Sequence, residues 1–317
     1  MHLTFLGTGG GMPTRERNVS ALALSLGSRW FLFDCGEGTQ HRLMHTALSL
    51  GKLSRVFISH LHGDHVYGLF GLLGTRSMLG LSQTLDIYGP TGIEEMVRTV
   101  MGLSAMHSKS PLIFHELGED GGSVLDTERL CIEAYPLDHR VPCLAWHIKE
   151  RESQGALDMD KVRDLGVPVG PALGQLKRGE TVVLANGSSV SPFQVLGPTA
   201  RGRSVIIAGD NRDPESLLAR SGPVDVLVHE ATFTEEVLAR LPDDKGHSTA
   251  ARVGHAAQGR VKNLVLTHFS ARYQRSDGSI EQVSDEAQKH FTGTLILADD
   301  LARFQLSRDG ALRQEPN

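Results

Sequence analysis

Several protein classes are excluded by what this chain lacks. Its three cysteines, Cys35, Cys131 and Cys143, lie far apart and supply neither a disulfide framework nor a CxxC zinc site. No stretch approaches the roughly 18 uninterrupted apolar residues of a membrane span. Met1 to Gly7 has neither the basic start nor the long apolar run of a secretory leader. The net charge of −5 is not the positive excess of a small nucleic-acid-binding domain, so any hold on nucleic acid must come from local patches or bound metal. A cytoplasmic protein with no membrane attachment is the expectation.

The chain has 317 residues, 40% hydrophobic and 22% charged, enough to bury a sizeable core. Its 35 glycines suit an α/β enzyme with many tight loops better than a helical bundle. Apolar runs alternate with helical patterns. Strands are expected at Leu3–Leu6, Ala21–Leu26, Trp30–Phe33, Val56–Ser59, Asp86–Tyr88, Val205–Ala208, Val226–His229, Leu264–Thr267 and Leu295–Ala298. Helices are expected at Val66–Gly80, Ile93–Met101, Thr249–Ala257 and Ile280–Phe291, with Ser248 a candidate N-cap. From about Lys149 to Gly202 the chain is rich in Gly, Pro and charge and weak in periodicity. This segment, 149–202, reads as a flexible arm inserted into one domain spanning 1–317.

Fifteen histidines are present, and the densest signal is His60-Leu61-His62-Gly63-Asp64-His65 at a strand-to-helix junction. Zinc prefers imidazole nitrogen and carboxylate oxygen, and a catalytic site leaves room for water. On extended backbone His60 and His62 point to one side, and the following helix carries Asp64 and His65 to a second position. Gly63 permits the tight turn between them.

HxHxDH in this place resembles the signature of the metallo-β-lactamase superfamily. The resemblance implies an αββα sandwich, two mixed sheets with helices outside, and a metal site along one edge. The Thr8-Gly9-Gly10-Gly11 turn and the strand ending at Asp34-Cys35-Gly36-Glu37-Gly38 also match, with Asp34 a partner that orients a metal-bound histidine. Three further ligands follow by resemblance, each after an apolar run: His139, Asp210 and His268. The resemblance assigns His60, His62, His139 and Asp210 to one zinc, and Asp64, His65, Asp210 and His268 to the other. Two zinc ions per subunit are expected, with manganese or iron as substitutes, since the same donors accept them. Two such ions can turn a shared water into hydroxide near neutral pH and offset phosphate charge. By resemblance Asp64 is also the proton acceptor for the attacking water.

HxHxDH does not choose a substrate; β-lactam, thioester and RNA hydrolysis all use it. Four further motifs are similar to those of the ribonuclease Z family. Pro13-Thr14-Arg15-Glu16-Arg17-Asn18 is close to that family's PxKxRN loop, with Arg15 where lysine is usual, and makes Arg15 and Arg17 candidate substrate contacts. His229-Glu230-Ala231-Thr232 and His247-Ser248-Thr249 match its HEAT and HST motifs, which implies His247 as proton donor to the leaving oxygen and Glu230 as its orienting partner. Gly170-Pro171 resembles the tip of the family's tRNA-gripping exosite. Arg272, in Thr267-His268-Phe269-Ser270-Ala271-Arg272, could face the phosphate backbone, and Ala298-Asp299-Asp300 is similar to the short acidic motif closing the pattern. The implied enzyme is a homodimeric zinc-dependent endoribonuclease that removes the 3′ trailer from precursor tRNA. It would leave a 3′-hydroxyl on the tRNA and a 5′-phosphate on the trailer. Over 149–180 six basic residues face six acidic ones, so the arm would hold RNA by local patches and shape rather than bulk charge.

Overall fold

Strand Arg29–Phe33 shows how this sequence builds its layers. Trp30 and Leu32 pack with one buried cluster and Phe31 and Phe33 with another, because successive side chains leave opposite faces of a strand. A strand that is apolar from Trp30 to Phe33 needs cover on both sides, and it has it. The computed structural model describes residues 1–243, 245–274 and 278–316. One sheet has the spatial order Leu312–Glu315, Arg303–Leu306, His2–Gly7, Ala21–Leu26, Arg29–Phe33, Leu53–Phe57, Leu85–Pro90, Leu112–Leu117. The other runs Thr294–Leu297, Val261–Thr267, Val224–Glu230, Ser204–Ala208, Cys143–Glu150, Leu130–Leu137, Gly122–Asp126. Each sheet is part parallel and part antiparallel.

The two sheets face each other across a core containing Phe33, Phe57, Trp146, Val205 and Val228. Phe57 stacks on Phe33 at 4.8 Å and meets Trp146 of the opposite sheet at 5.1 Å. Helices Gly68–Met78 and Ile93–Leu103 cover the outside of the first sheet through Leu69, Leu72, Leu73, Ile93 and Val97. Helices Pro214–Ser221, Ala250–Ala257 and Glu281–Gln288 cover the second through Leu217, Leu218, Val253 and Val283. This is the αββα sandwich that the resemblance implied.

Boundaries shift locally. The strand expected to reach Ser59 ends at Phe57, which frees Ser59 and His60 for the site. The helix expected from Val66 begins at Gly63, breaks at Tyr67 and resumes at Gly68. Thr249, not Ser248, caps the helix that follows, its side chain accepting from the Arg252 N–H. Strands Leu112–Leu117, Gly122–Asp126, Leu130–Leu137 and Cys143–Glu150 carried no sequence expectation; the first two are half-exposed edges with little apolar contrast.

The arm starts later than expected, since Lys149 and Glu150 are still paired in a strand. Its base closes where Ser153 and Ala200 exchange backbone hydrogen bonds of 3.0 and 2.8 Å. Inside are helices Met159–Asp164, Pro171–Lys177 and Pro192–Val195 and a small hairpin. They bury Val162, Val167, Leu176, Val182, Val190 and Val195 as a separate core. Each short element contributes one or two of these residues, which is why no periodicity shows in the sequence.

Candidate functional site

The parallel strands of both sheets end along one edge, and the polar residues just beyond those ends converge there, where open α/β sheets present their ligand crevices. Ser59 and His60 follow strand Leu53–Phe57, Asp210 follows Ser204–Ala208, Glu230 ends its own strand and His268 follows Val261–Thr267. His139 lies just after Leu130–Leu137. All seven expected metal ligands are gathered: His60, His62, His139 and Asp210 form one group of donors within 4.8 Å of one another, and Asp64, His65 and His268 form a second.

Asp210 joins the two groups. Its Oδ2 stands 3.6 Å from His60 Nε2 and 3.9 Å from His139 Nε2; its Oδ1 stands 3.5 Å from His65 Nε2 and 3.3 Å from His268 Nε2. His62 Nδ1 lies 3.0 Å from His60 Nε2 and 3.3 Å from His139 Nε2, and Asp64 Oδ2 lies 3.3 Å from His268 Nε2. In a tetrahedral site with bonds near 2.0–2.1 Å, neighbouring donors lie about 3.3 Å apart. The observed spacings match.

The hydrogen bonds behind the ligands decide which nitrogen is bare. His65 Nδ1 is 2.7 Å from the Asp34 carboxylate and His139 Nδ1 is 2.8 Å from the Gly246 carbonyl. Neither oxygen can donate, so both rings carry their proton on Nδ1. Ser59 gives its single proton to Asp34 Oδ2 at 2.9 Å and accepts from His60 Nδ1 at 3.0 Å. Thr232 gives its proton to Glu230 Oε2 at 2.7 Å and accepts from His268 Nδ1 at 3.0 Å. Four bare Nε2 atoms therefore point inward, as metal-binding histidines held from behind require.

Asp210 Oδ1 is buried with no hydrogen-bond partner. A carboxylate oxygen facing bare imidazole lone pairs is destabilised unless a cation lies between them. Titration tells the same story. Burial keeps His60, His62 and His139 below the usual histidine range, the neutral form a metal needs. Burial works against ionising Asp210, but the charges of His268 and His65 hold it well below the usual carboxylate range. Burial also opposes charging His65, yet Asp210 and Asp34 raise it well above its ordinary value. The cluster draws in positive charge, and a proton is the substitute for a metal. These residues fit a pair of divalent cations.

Glu230 is fully buried and satisfied from four directions: Thr232 N–H at 2.9 Å, Thr232 Oγ1 at 2.7 Å, Ser248 N–H at 2.5 Å and His247 Nδ1 at 3.5 Å. Burial raises its carboxyl, but the His247 contact outweighs that and lowers it. Burial lowers His247, and Glu230 and Asp210 overcome this and push it up to about 9. A cation bound at Asp210 opposes that rise. His247 and Glu230 therefore form an imidazolium–carboxylate pair beside the two donor groups. The whole group opens into a cleft of about 470 Å³ lined by Gly11, Pro13, Glu37, His62, Asp64, Tyr67, Arg140 and His247 among others.

The remaining expectations scatter. Arg15 is exposed on its loop. Arg17 differs from its expected role, because its guanidinium is taken up within the protein. It bonds Thr8 Oγ1, the Ala298 carbonyl and Asp299 Oδ1, each at 2.6 Å, and lies over the Phe269 ring at 4.8 Å. Asp300 joins the same knot, accepting from Thr8 Oγ1 and the Asn18 N–H at 2.8 and 2.7 Å and pairing with Arg42 at 3.0 Å. The acidic pair near the C-terminus thus fastens the loop whose Gly11 N–H bonds Asp64 Oδ2 at 2.7 Å. Gly170 and Pro171 sit in the arm and Arg272 is exposed in the turn Ala271–Gln274; none of the three lines the cleft. Sequence reasoning gave no role to Thr232, Ser59 or Gly246. Thr232 stood inside a quoted motif, but its two-way hydrogen bonding exists only once residue 268 is beside it.

The fold and the edge cluster define a metallo-β-lactamase-fold protein. Solved structures agree: a metallo-β-lactamase-fold protein from Bacillus subtilis, YhfI, overlays 95% of this chain and 98% of its own with a TM-score of 0.66 at 20% identity. Human tRNase Z, short form, overlays 97% of this chain and all of its own, with a TM-score of 0.69 and 28% identity. A family profile described as Anti-Pycsar protein Apyc1 matches residues 1–110. Over full length, ribonuclease Z of Pseudomonas putida (strain GB-1) is 45% identical, covering 98% of this chain and 99% of the relative. That of Shouchella clausii (strain KSM-K16) is 43% identical, covering 99% of this chain and 100% of the relative. The chain belongs to the ribonuclease Z family. It is accordingly an enzyme, a hydrolase of the endoribonuclease type.

Proposed function

We propose that this enzyme is a cytoplasmic, two-zinc endoribonuclease that removes the 3′ trailer from precursor tRNA, leaving a 3′-hydroxyl on the tRNA and a 5′-phosphate on the trailer. The observation that carries the reading is the pairing of two donor groups bridged by Asp210 with the adjacent His247–Glu230 acid. When bound, the two cations activate water and neutralise the non-bridging oxygens of the scissile phosphate.

This chain's residues supply the rest. His60, His62, His139 and Asp210 hold one ion; Asp64, His65, Asp210 and His268 hold the other. Asp64, at the cleft wall, accepts the proton of the attacking water. His247, its charge held by Glu230, gives a proton to the departing 3′ oxygen. Pro13 lines the cleft and Arg15 follows on the same loop, a placement suited to meeting the RNA just past the cut. The arm, with Gly170-Pro171, grips the tRNA away from the cut, and Arg272 faces its backbone. Manganese or iron can replace zinc in such a donor set.

We read the enzyme as a homodimer. Met78, Leu79 and Leu103 are 89, 62 and 86% exposed around an apolar groove lined by Phe70, Val100 and Met106; a contiguous apolar surface of this kind marks an interface. Light scattering should report a dimer, and Met78→Glu with Leu103→Glu a monomer.

The decisive experiment maps the ends produced from a precursor tRNA with and without 3′ CCA, before and after chelation and zinc add-back. Cleavage at the trailer junction, lost on chelation and restored by zinc, supports the reading. A metal-loaded enzyme that cuts a thioester or cephalosporin but no precursor tRNA overturns it.

A further inference from the structure

Among the described residues Arg140 is the single lysine or arginine lining the cleft; the other charged lining residues are Glu37, Asp64, Asp210 and histidines. Arg17 and Arg42, on the adjoining loop and helix, are bound to Asp299 and Asp300. Arg140 is exposed and makes no ion pair among the described residues. Its position is nonetheless fixed. It follows His139, whose ring is tied to the Gly246 carbonyl, and a Cβ built on Gly246 would lie 3.3 Å from Arg140 Cγ. The stem therefore packs against the turn that leads into His247.

That turn is the leaving-group side of the cleft. Asp64 and the Gly11–Pro13 loop stand on the opposite, attacking side, joined by the Gly11–Asp64 hydrogen bond. Arg140 also borders a second cleft of about 320 Å³ lined by Pro90, Glu119, Pro136 and Pro142, so it stands where the two clefts adjoin, beside His139. A pair of cations neutralises the scissile phosphate, but the neighbouring phosphates meet a mouth that carries Glu37. A polyanion is held there only if a further positive group meets it, and guanidinium suits a phosphate in two-point contact.

Resting on the RNA-cleavage reading above, we infer that Arg140 binds a backbone phosphate of the tRNA 3′ end, on the upstream side of the cut. Arg140 thus acts as a substrate-positioning group rather than a member of the metal site.

The test compares wild type, Arg140→Ala and Arg140→Lys, with Lys289→Ala, an exposed lysine on another face, as the control for loss of any positive charge. All are checked for equal zinc content and melting temperature. Steady-state cleavage of precursor tRNA is measured across a KCl series, with inhibition by the mature tRNA body and by a trailer oligonucleotide. Arg140→Ala should raise KM on the order of tenfold with a smaller change in kcat, and lower the slope of log KM against log salt by about 0.7, the single-strand value for one phosphate contact. Inhibition by the tRNA body should weaken, and inhibition by the trailer should not. Arg140→Lys should keep the salt slope and recover part of the affinity. An unchanged slope in Arg140→Ala, or equal weakening by both fragments, overturns the inference. Wild type that cannot cleave precursor tRNA fails the functional reading instead.

Discussion

Replacing Thr232 with valine removes one oxygen and keeps the shape, so it isolates the hydroxyl that ties the acid pair to the metal cluster. That hydroxyl is 2.7 Å from Glu230 Oε2, 3.0 Å from His268 Nδ1 and 3.1 Å from the His268 carbonyl. It has one proton, and the shorter contact to an ionised oxygen wins it. Losing that bond should destabilise the buried carboxylate by about 1.5–3 kcal/mol. On the other side His268 Nδ1 loses its acceptor, and nothing then favours the tautomer with a bare Nε2. Removing such a partner behind a ligand typically weakens metal binding about 10–100-fold. Asp64 and His268 share one donor group while His60, His62 and His139 form another, so one of the two ions should be affected far more than the other. A zinc titration against a chelator of known affinity reads this directly: wild type and Thr232→Val should share one dissociation constant and differ in the second. Two unchanged constants, or two equally weakened ones, refute the hydrogen-bond assignment. His268 adds its own strain, with φ of 57°, a conformation that costs a non-glycine residue about 1–3 kcal/mol. A looser His268 should relax, so the variant should lose melting temperature without zinc, through the Glu230 bond, and lose more of it when zinc is present.

Further tests follow from other parts of the molecule. His247→Ala should lower kcat on precursor tRNA about 10²–10⁴-fold and far less on bis-p-nitrophenyl phosphate, whose leaving group needs no proton; equal losses would place the donor elsewhere. Joining Ser153 to Ala200 by a short glycine linker, across the existing backbone pair, should remove the arm with its private core, raise KM for precursor tRNA and spare the small diester. His147 is buried, and burial first, then Lys149, lowers its pKa to about 4. A histidine lowered in the folded state contributes stability that is complete above its unfolded pKa near 6.5 and is lost as pH falls toward 4. The full difference is about 3 kcal/mol. Urea midpoints at pH 7 and pH 4.5 should therefore fall more steeply for wild type than for His147→Gln, and parallel falls would count against it.

The arm's charges, balanced in number along the sequence, are also balanced pair by pair in the structure. Of its region's six basic residues, Lys149 pairs with Glu133, Arg151 with Asp126, Lys161 with Asp158, Arg163 with Asp160 and Arg178 with Glu180. Two of those partners, Glu133 and Asp126, belong to the two strands that precede the arm's own, outside the arm. The positive charge is largely neutralised where it stands, and Lys177 is left as the arm's unpaired cation among the described residues. The same holds for Arg17, whose partner Asp299 lies 282 positions on.

The sequence by itself determined the chemistry at one point: His60-Leu61-His62-Gly63-Asp64-His65 encodes ligand type and spacing within a single turn, where extended and helical periodicities fix direction without help from the rest of the chain. Alternating apolar strands likewise announced layers buried on both faces. Tertiary structure alone decided that His139, Asp210 and His268 meet that turn, because convergence depends on sheet register and on strands ending along one edge. It alone decided which nitrogen of each ring is bare, through Asp34, Ser59, Thr232 and Gly246. It also separated arginines fastened within the protein, such as Arg17 and Arg42, from Arg140, which lines the cleft and makes no ion pair among the described residues. Residue type is written locally; at the cleft, the pairing that takes up the charge of Arg17 and Arg42 is set by Asp299 and Asp300, hundreds of residues away.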